Sequence, residues 1–166
     1  MTVKIPMVIQ ENALDIDAFL ADSVDSANGK LYALGAGWNT IVTAVVPARH
    51  DRIGIGMLIR VPYTATNQSH QLELRLEDAD GAVLPLAEKP GGESGEKIDK
   101  LGASFNVGRP PQLAPGEEQI VALAINIDGL VFEKPERYRF VISIDGTDVK
   151  DLGLRILSQP PALTVG

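Results

Sequence analysis

Five aspartates, Asp78, Asp80, Asp145, Asp148 and Asp151, stand near predicted hairpin tips. Carboxylates clustered on loops are what calcium takes. Aspartate is equally the ordinary residue of such turns, because its side chain bonds nearby backbone and tolerates a left-handed conformation. No EF-hand spacing is present. His50 and His70 are the only histidines. His50-Asp51 sets a base beside a carboxylate that could orient it, and serines are available as nucleophiles. The chain has no G-x-S-x-G elbow, and no His/His/carboxylate spacing offers the three or four ligands that zinc requires. Trp38, the single tryptophan, and Asn39 could floor a ligand groove, or the indole could plug a corner of the core. Gly35-Ala36-Gly37 lacks the third glycine and the helix of a dinucleotide fingerprint. It reads as a bulge that lets backbone pass close to Trp38. Asp15, Asp17, Asp22 and Asp25 make an acidic N-terminal segment. At strand spacing Asp15 and Asp17 share a face and read as charges that guard an edge.

The elements that must hold these residues are strands. Leu72, Leu74 and Leu76 alternate with Gln71, Glu73, Arg75 and Glu77. Tyr138, Phe140, Ile142 and Ile144 alternate with Arg137, Arg139 and Ser143. A period of two means one face on a core and one in water. Ile53, Ile55, Met57, Ile59 and Val61 repeat it opposite Gly54, Gly56 and Arg60, and the glycines predict a bulge or a close backbone approach. Val121, Leu123, Ile125 and Ile127 form a long inward stripe, opposite Ala122, Ala124 and Asn126. Asn28-Gly29 predicts a hairpin, joining a segment near residues 16–24 to one near residues 30–34. The first of these also fits a helical face through Ile16, Phe19, Leu20, Ser23 and Val24. Asp80-Gly81 turns into residues 82–86. Ala103, Phe105 and Val107 make a short strand that Pro110-Pro111 stops. Asp145-Gly146 leads to a last strand with Leu152, Leu154 and Ile156. Pro135-x-x-Tyr138 at a strand entry looks like a tyrosine corner.

The expected fold is all-β: a Greek-key, immunoglobulin-like β-sandwich of about eight to ten strands in one domain over residues 1–166. Residues 1–12 read as an apolar arm that could add a strand to its own sheet or to a neighbour. Residues 88–101, rich in Gly, Pro and mixed charge, read as a mobile loop, and 158–166 as a tail.

Composition narrows function further. The 166 residues hold no cysteine, so there is no disulfide framework and no thiolate chemistry. Net charge is −7, which repels phosphate and anionic lipid and argues against nucleic acid and membrane as partners. No stretch approaches the ~20 apolar residues of a membrane helix. Met1 to Gln10 lacks the apolar run and cleavage site of a signal peptide, so the expected location is the cytoplasm. Asn67-Gln68-Ser69 then reads as a plain loop rather than a glycosylation site.

The stretch Leu20-Ala-Asp22, with Gly29-Lys30-Leu31-Tyr32-Ala-Leu34-Gly35-Ala-Gly37-Trp38 and the later strand ending in Val61-Pro62-Tyr63, resembles a bacterial family of unknown function. Leu-Glu-Asp78-Ala-Asp80-Gly81 fits as well. The resemblance spans residues 20–156 and implies one β-sandwich domain. It carries no activity and no functional residue.

These readings together predict a non-enzymatic module with a protein partner or self-association, and with no cofactor, metal or catalytic residue. The alternative is a small-ligand or calcium-binding domain. Its candidate binding residues are Trp38, Asn39, Asp78, Asp80, Asp145 and Asp148.

Overall fold

The computed structural model describes residues 13–91 and 95–159. The predicted arm and all but the first two residues of the predicted tail lie outside them. The strands are β1 (Asp15–Ala21), β2 (Ser23–Ala27), β3 (Lys30–Leu34), β4 (Thr40–Thr43), β5 (Ala48–Pro62), β6 (Ser69–Glu77) and β7 (Val83–Leu84). They continue with β8 (Ala87–Glu88), β9 (Lys97–Ile98), β10 (Lys100–Asn106), β11 (Glu118–Phe132), β12 (Arg137–Ile144) and β13 (Thr147–Ser158). One short 3-10 turn covers Tyr63–Ala65.

Two sheets share one core. The first is three-stranded in the order β1-β5-β11, and the second runs β10-β6-β12-β13-β4 with β7 on β6. The alternating stripes read from sequence are the two inner faces. Ile53, Ile55, Met57, Ile59 and Val61 on β5 are fully buried, and they join one apolar cluster with Leu72, Leu74 and Leu76 on β6 and with Phe140 and Ile142 on β12. Nearly all pairing is antiparallel, but β4 lies parallel to β13.

The ambiguous segment 16–24 is strand, and it is two strands, not one. β1 pairs along β5, the chain breaks at Asp22, and β2 turns through Asn28 (φ 52°) and Gly29 (φ 70°) into β3. The hairpin that Asn28-Gly29 signals therefore joins β2 to β3 and leaves β1 free to pair with β5. That ribbon docks on the outer face of the first sheet. The glycines of β5 make this possible by close approach, not by a bulge. A Cβ at Gly54 would stand 3.1 Å from the Ser23 backbone of β2, and one at Gly56 would stand 3.1 Å from the Leu31 side chain of β3. Asn126 fastens the ribbon: its Nδ2 donates to Val24 O at 2.8 Å, and its Oδ1 accepts from Val24 N at 3.0 Å. Asn126→Ala is expected to cost about 1 kcal/mol and to speed amide exchange in β2 and β3 before the rest of the fold opens. Unchanged exchange in β2 and β3 would contradict this.

Residues 88–101 are not a plain connector where they are described. β8 and β9 pair there, closed by a Lys89–Glu96 ion pair of 2.7 Å and by Leu86 N donating to Ile98 O at 2.7 Å. Leu86, buried in the core, anchors the ribbon. The predicted strand over residues 82–86 shrinks to β7 because the chain leaves the sheet at Pro85. Tyr138 bonds back as a tyrosine corner does: its hydroxyl donates to Lys134 O at 2.8 Å.

Candidate functional site

Three of the predicted aspartates, Asp78, Asp145 and Asp148, are engaged within the fold. Asp78 Oδ1 accepts from Asp80 N and Ala82 N, each at 2.9 Å, and so caps its own turn, while Asp80 is exposed at the tip. Asp145 lies at the other end of β6, beside His70 and Gln71. Asp148 binds Arg75 through both oxygens, at 2.9 and 2.8 Å. Strand register thus separates the carboxylates that calcium would need together. Among the described residues no three His, Asp or Glu side chains gather to hold a metal.

Nor do the histidines make a catalytic pair. His70 is 5% exposed and uses both ring nitrogens: Nδ1 meets Asp145 Oδ2 and Nε2 meets Ala65 O, each at 2.8 Å. A general base needs one nitrogen free for the substrate. His70 instead ties the Tyr63–Ala65 turn to the β12–β13 tip. Burial alone would lower its pKa, but the Ala65 carbonyl and the Asp145 carboxylate outweigh burial and raise it. Asp145 is held low, chiefly by His70 and then by Gln71 N–H.

These shifts set a pH dependence. His70 binds its proton more tightly folded than unfolded. Its contribution is therefore fully present below about pH 6.5 and fades as pH rises through the higher folded value. Asp145 contributes above about pH 4, its unfolded range, and that part is lost as pH falls through its lower folded value. Urea midpoints across pH should decline on the alkaline side in the wild type and stay flat there in His70→Asn. An equal decline in both would assign it to another group.

His50 sits 5.8 Å from the Trp38 ring. Trp38 is half-buried against the core, and its Nε1 is buried without a partner among the described residues. The indole packs against the edge of the core. Gly35 and Gly37 adopt φ of 62° and 98°, and Gly37 N donates to Leu20 O at 3.2 Å, which turns the chain back onto β1 and brings Trp38 in. Asn39 is exposed, with Oδ1 accepting from the Thr40 hydroxyl at 3.1 Å. Asp15 and Asp17 do share the outer face, where both bind Arg60.

The feature that sequence reasoning passed over is the position of β11. This strand of 15 residues pairs with β5 in an unbroken register, from Glu118 opposite Pro62 to Phe132 opposite Ala48. No strand pairs with its other edge among the described residues. Its backbone N–H and C=O groups on that side are open to another strand. Val121, Leu123 and Ile125 face inward and are partly buried, with no strand beside them among the described residues; Ile120, on the outer face, is 58% exposed. Residues 119–127 carry no charge, no proline and no glycine, the devices that usually protect an edge. The stripe is legible in the sequence as a long apolar alternation, but nothing there says that it lies at a sheet edge.

At the far end of β11 a cleft of about 660 Å³ opens between Leu130 and Val131, the Leu84–Glu88 segment and Tyr138. Its lining sets Leu84, Leu86, Leu130 and Val131 beside Arg49, Lys97, Lys134, Asp78, Glu88 and Glu133. Gly129, at φ 69°, makes room for Arg49, whose guanidinium would stand 2.6 Å from a Cβ there.

The chain belongs to a family of unknown function (DUF6941), whose model matches residues 16–157. No curated protein matches it. No helix of the described residues is long and apolar enough to cross a membrane.

Proposed function

We propose, since family membership brings no activity with it, that this protein is a non-enzymatic interaction module that binds another polypeptide strand along the free edge of β11. One observation carries the reading. A long edge is unpaired among the described residues and uncharged over residues 119–127, with half-buried apolar side chains beside it. In strand addition the main chain supplies affinity and alternate side chains supply specificity. The engagement of both His70 nitrogens within the fold supports a role without catalysis.

Ile120→Lys combined with Ala122→Lys tests the edge. Both residues face outward on β11, where lysine is a natural edge guard, so stability should shift by no more than about 0.5 kcal/mol. Tagged wild type and the double variant are used as baits under identical conditions. A partner kept by the wild type and lost by the variant supports the edge. Partners retained equally by both overturn it.

A second reading, a small-ligand site, is favoured by the cleft, which sets Leu84, Leu86, Leu130 and Val131 beside charged side chains of both signs that a polar ligand could engage. Arg49 makes no ion pair among the described residues. Ligands that raise the melting temperature of the wild type but not of Arg49→Ala would support this reading.

A further inference from the structure

We infer that the strand added to β11 is β11 of a second copy, running antiparallel about a two-fold axis at Leu123 and making one continuous sheet in the order β1-β5-β11-β11-β5-β1. The inference rests on the edge reading above and names its occupant. Three observations lead to it.

The centre of the strand, residues 121–125, and its two flanking acids are symmetric about Leu123. Residues 119–127 are uncharged, and the acidic residues Glu118 and Asp128 flank them at equal distance from Leu123. Pairing about this centre sets Leu123 against Leu123, Val121 against Ile125, and Ala122 against Ala124. Residues opposite one another across an antiparallel pair lie on the same face. The inward stripe therefore meets the inward stripe, and no charge lies opposite a charge through the middle.

The ends are partly compensated. Glu118 would face Asp128 of the second copy, a repulsive pair in isolation. Each has an arginine of β5 nearby: Arg60, which also binds Asp15 and Asp17, stands 3.8 Å from Glu118, and Arg52 stands 2.6 Å from Asp128. The two guanidiniums at each end offset part of the repulsion, and the apolar middle carries the pairing.

The half-built core supplies the third reason. Val121, Leu123 and Ile125 keep part of their surface open at the edge, whereas their register partners on β5, Ile59, Met57 and Ile55, are fully buried. A second β11 brings three matching side chains against them and continues the same apolar layer. An unrelated strand would satisfy the backbone but would match this pattern only by chance.

Two measurements test this on the full chain. Sedimentation across low micromolar to millimolar concentration should show twice the chain mass, dissociating on dilution. Single-cysteine variants then read the register, on a background with no native cysteine. Leu123→Cys should cross-link to a dimer under mild oxidation. Val121→Cys should not, but Val121→Cys with Ile125→Cys should. A chain that remains a monomer throughout overturns self-pairing; the edge reading then stands or falls on the lysine variants. A dimer in which Leu123→Cys stays uncross-linked, or in which Val121→Cys alone cross-links as well, overturns this arrangement.

Discussion

Arg75→Met is expected to lower the unfolding free energy by about 3 kcal/mol, the low end of what breaking a buried ion pair costs. Arg75 lies on the outer face of the second sheet with its side chain 16% exposed, and it is the hub of a row of charges. Its Nε donates to Glu77 Oε1 at 2.8 Å, and its two terminal nitrogens hold Asp148 and the Ser143 hydroxyl. Glu77 in turn binds Arg139, with 2.6 Å between its Oε2 and Arg139 Nη2. The Glu77 side chain is 7% exposed, so losing Arg75 leaves a carboxylate in a dry place with half its partners. Arg75, followed by Arg139, is what holds Glu77 below the usual carboxylate range. Asp148 is 57% exposed and returns to water at little cost, which keeps the effect near the low end. Urea unfolding should show a lower midpoint with an unchanged slope. Adding Glu77→Leu should recover part of the loss, because an apolar pair tolerates that site better than a lone charge. A double variant less stable than Arg75→Met alone would show that Glu77 acts through Arg139 instead.

The second large effect is a contrast between two apolar residues of similar rank in the sequence. Phe140→Ala should cost about 4 kcal/mol, since truncating a fully buried aromatic forfeits its transfer energy and leaves a cavity. Phe140 is 0% exposed, between β6 and β13 in the middle of its sheet. Leu123→Ala, measured where the chain is dissociated, should cost only about 1 kcal/mol, the central value for ordinary substitutions. Leu123 pairs with buried Met57, and no strand pairs on its far side among the described residues. Equal costs would mean that β11 is covered in the dilute chain, and would remove the ground for an open edge.

Much of the fold was legible before any coordinates. The stripes of β5, β6, β12 and β13 were readable because side chains of a strand alternate strictly and one face of each sheet is dry. Asn28-Gly29, Asp80-Gly81 and Asp145-Gly146 marked turns because few residues accept positive φ: Asn28, Gly29, Gly81, Asp145 and Gly146 all take it. Residues 16–24 fitted strand and helix alike, because short apolar runs match both periods. The break at Asp22 depended on contacts from Gly54 and Asn126, far along the chain.

The candidate site divides the same way. By itself the sequence determined that this chain folds as strands around an apolar core and that β11 has an apolar, uncharged middle, because those are properties of local spacing and composition. Tertiary structure alone decided which strand lies at an edge, since pairing partners are distant in sequence and a stripe looks the same covered or open. It also decided that Asp145 meets His70 while Asp148 meets Arg75, which fits these aspartates to structural roles. Loop aspartates share a composition; register places them in space, and register is set by the whole sheet.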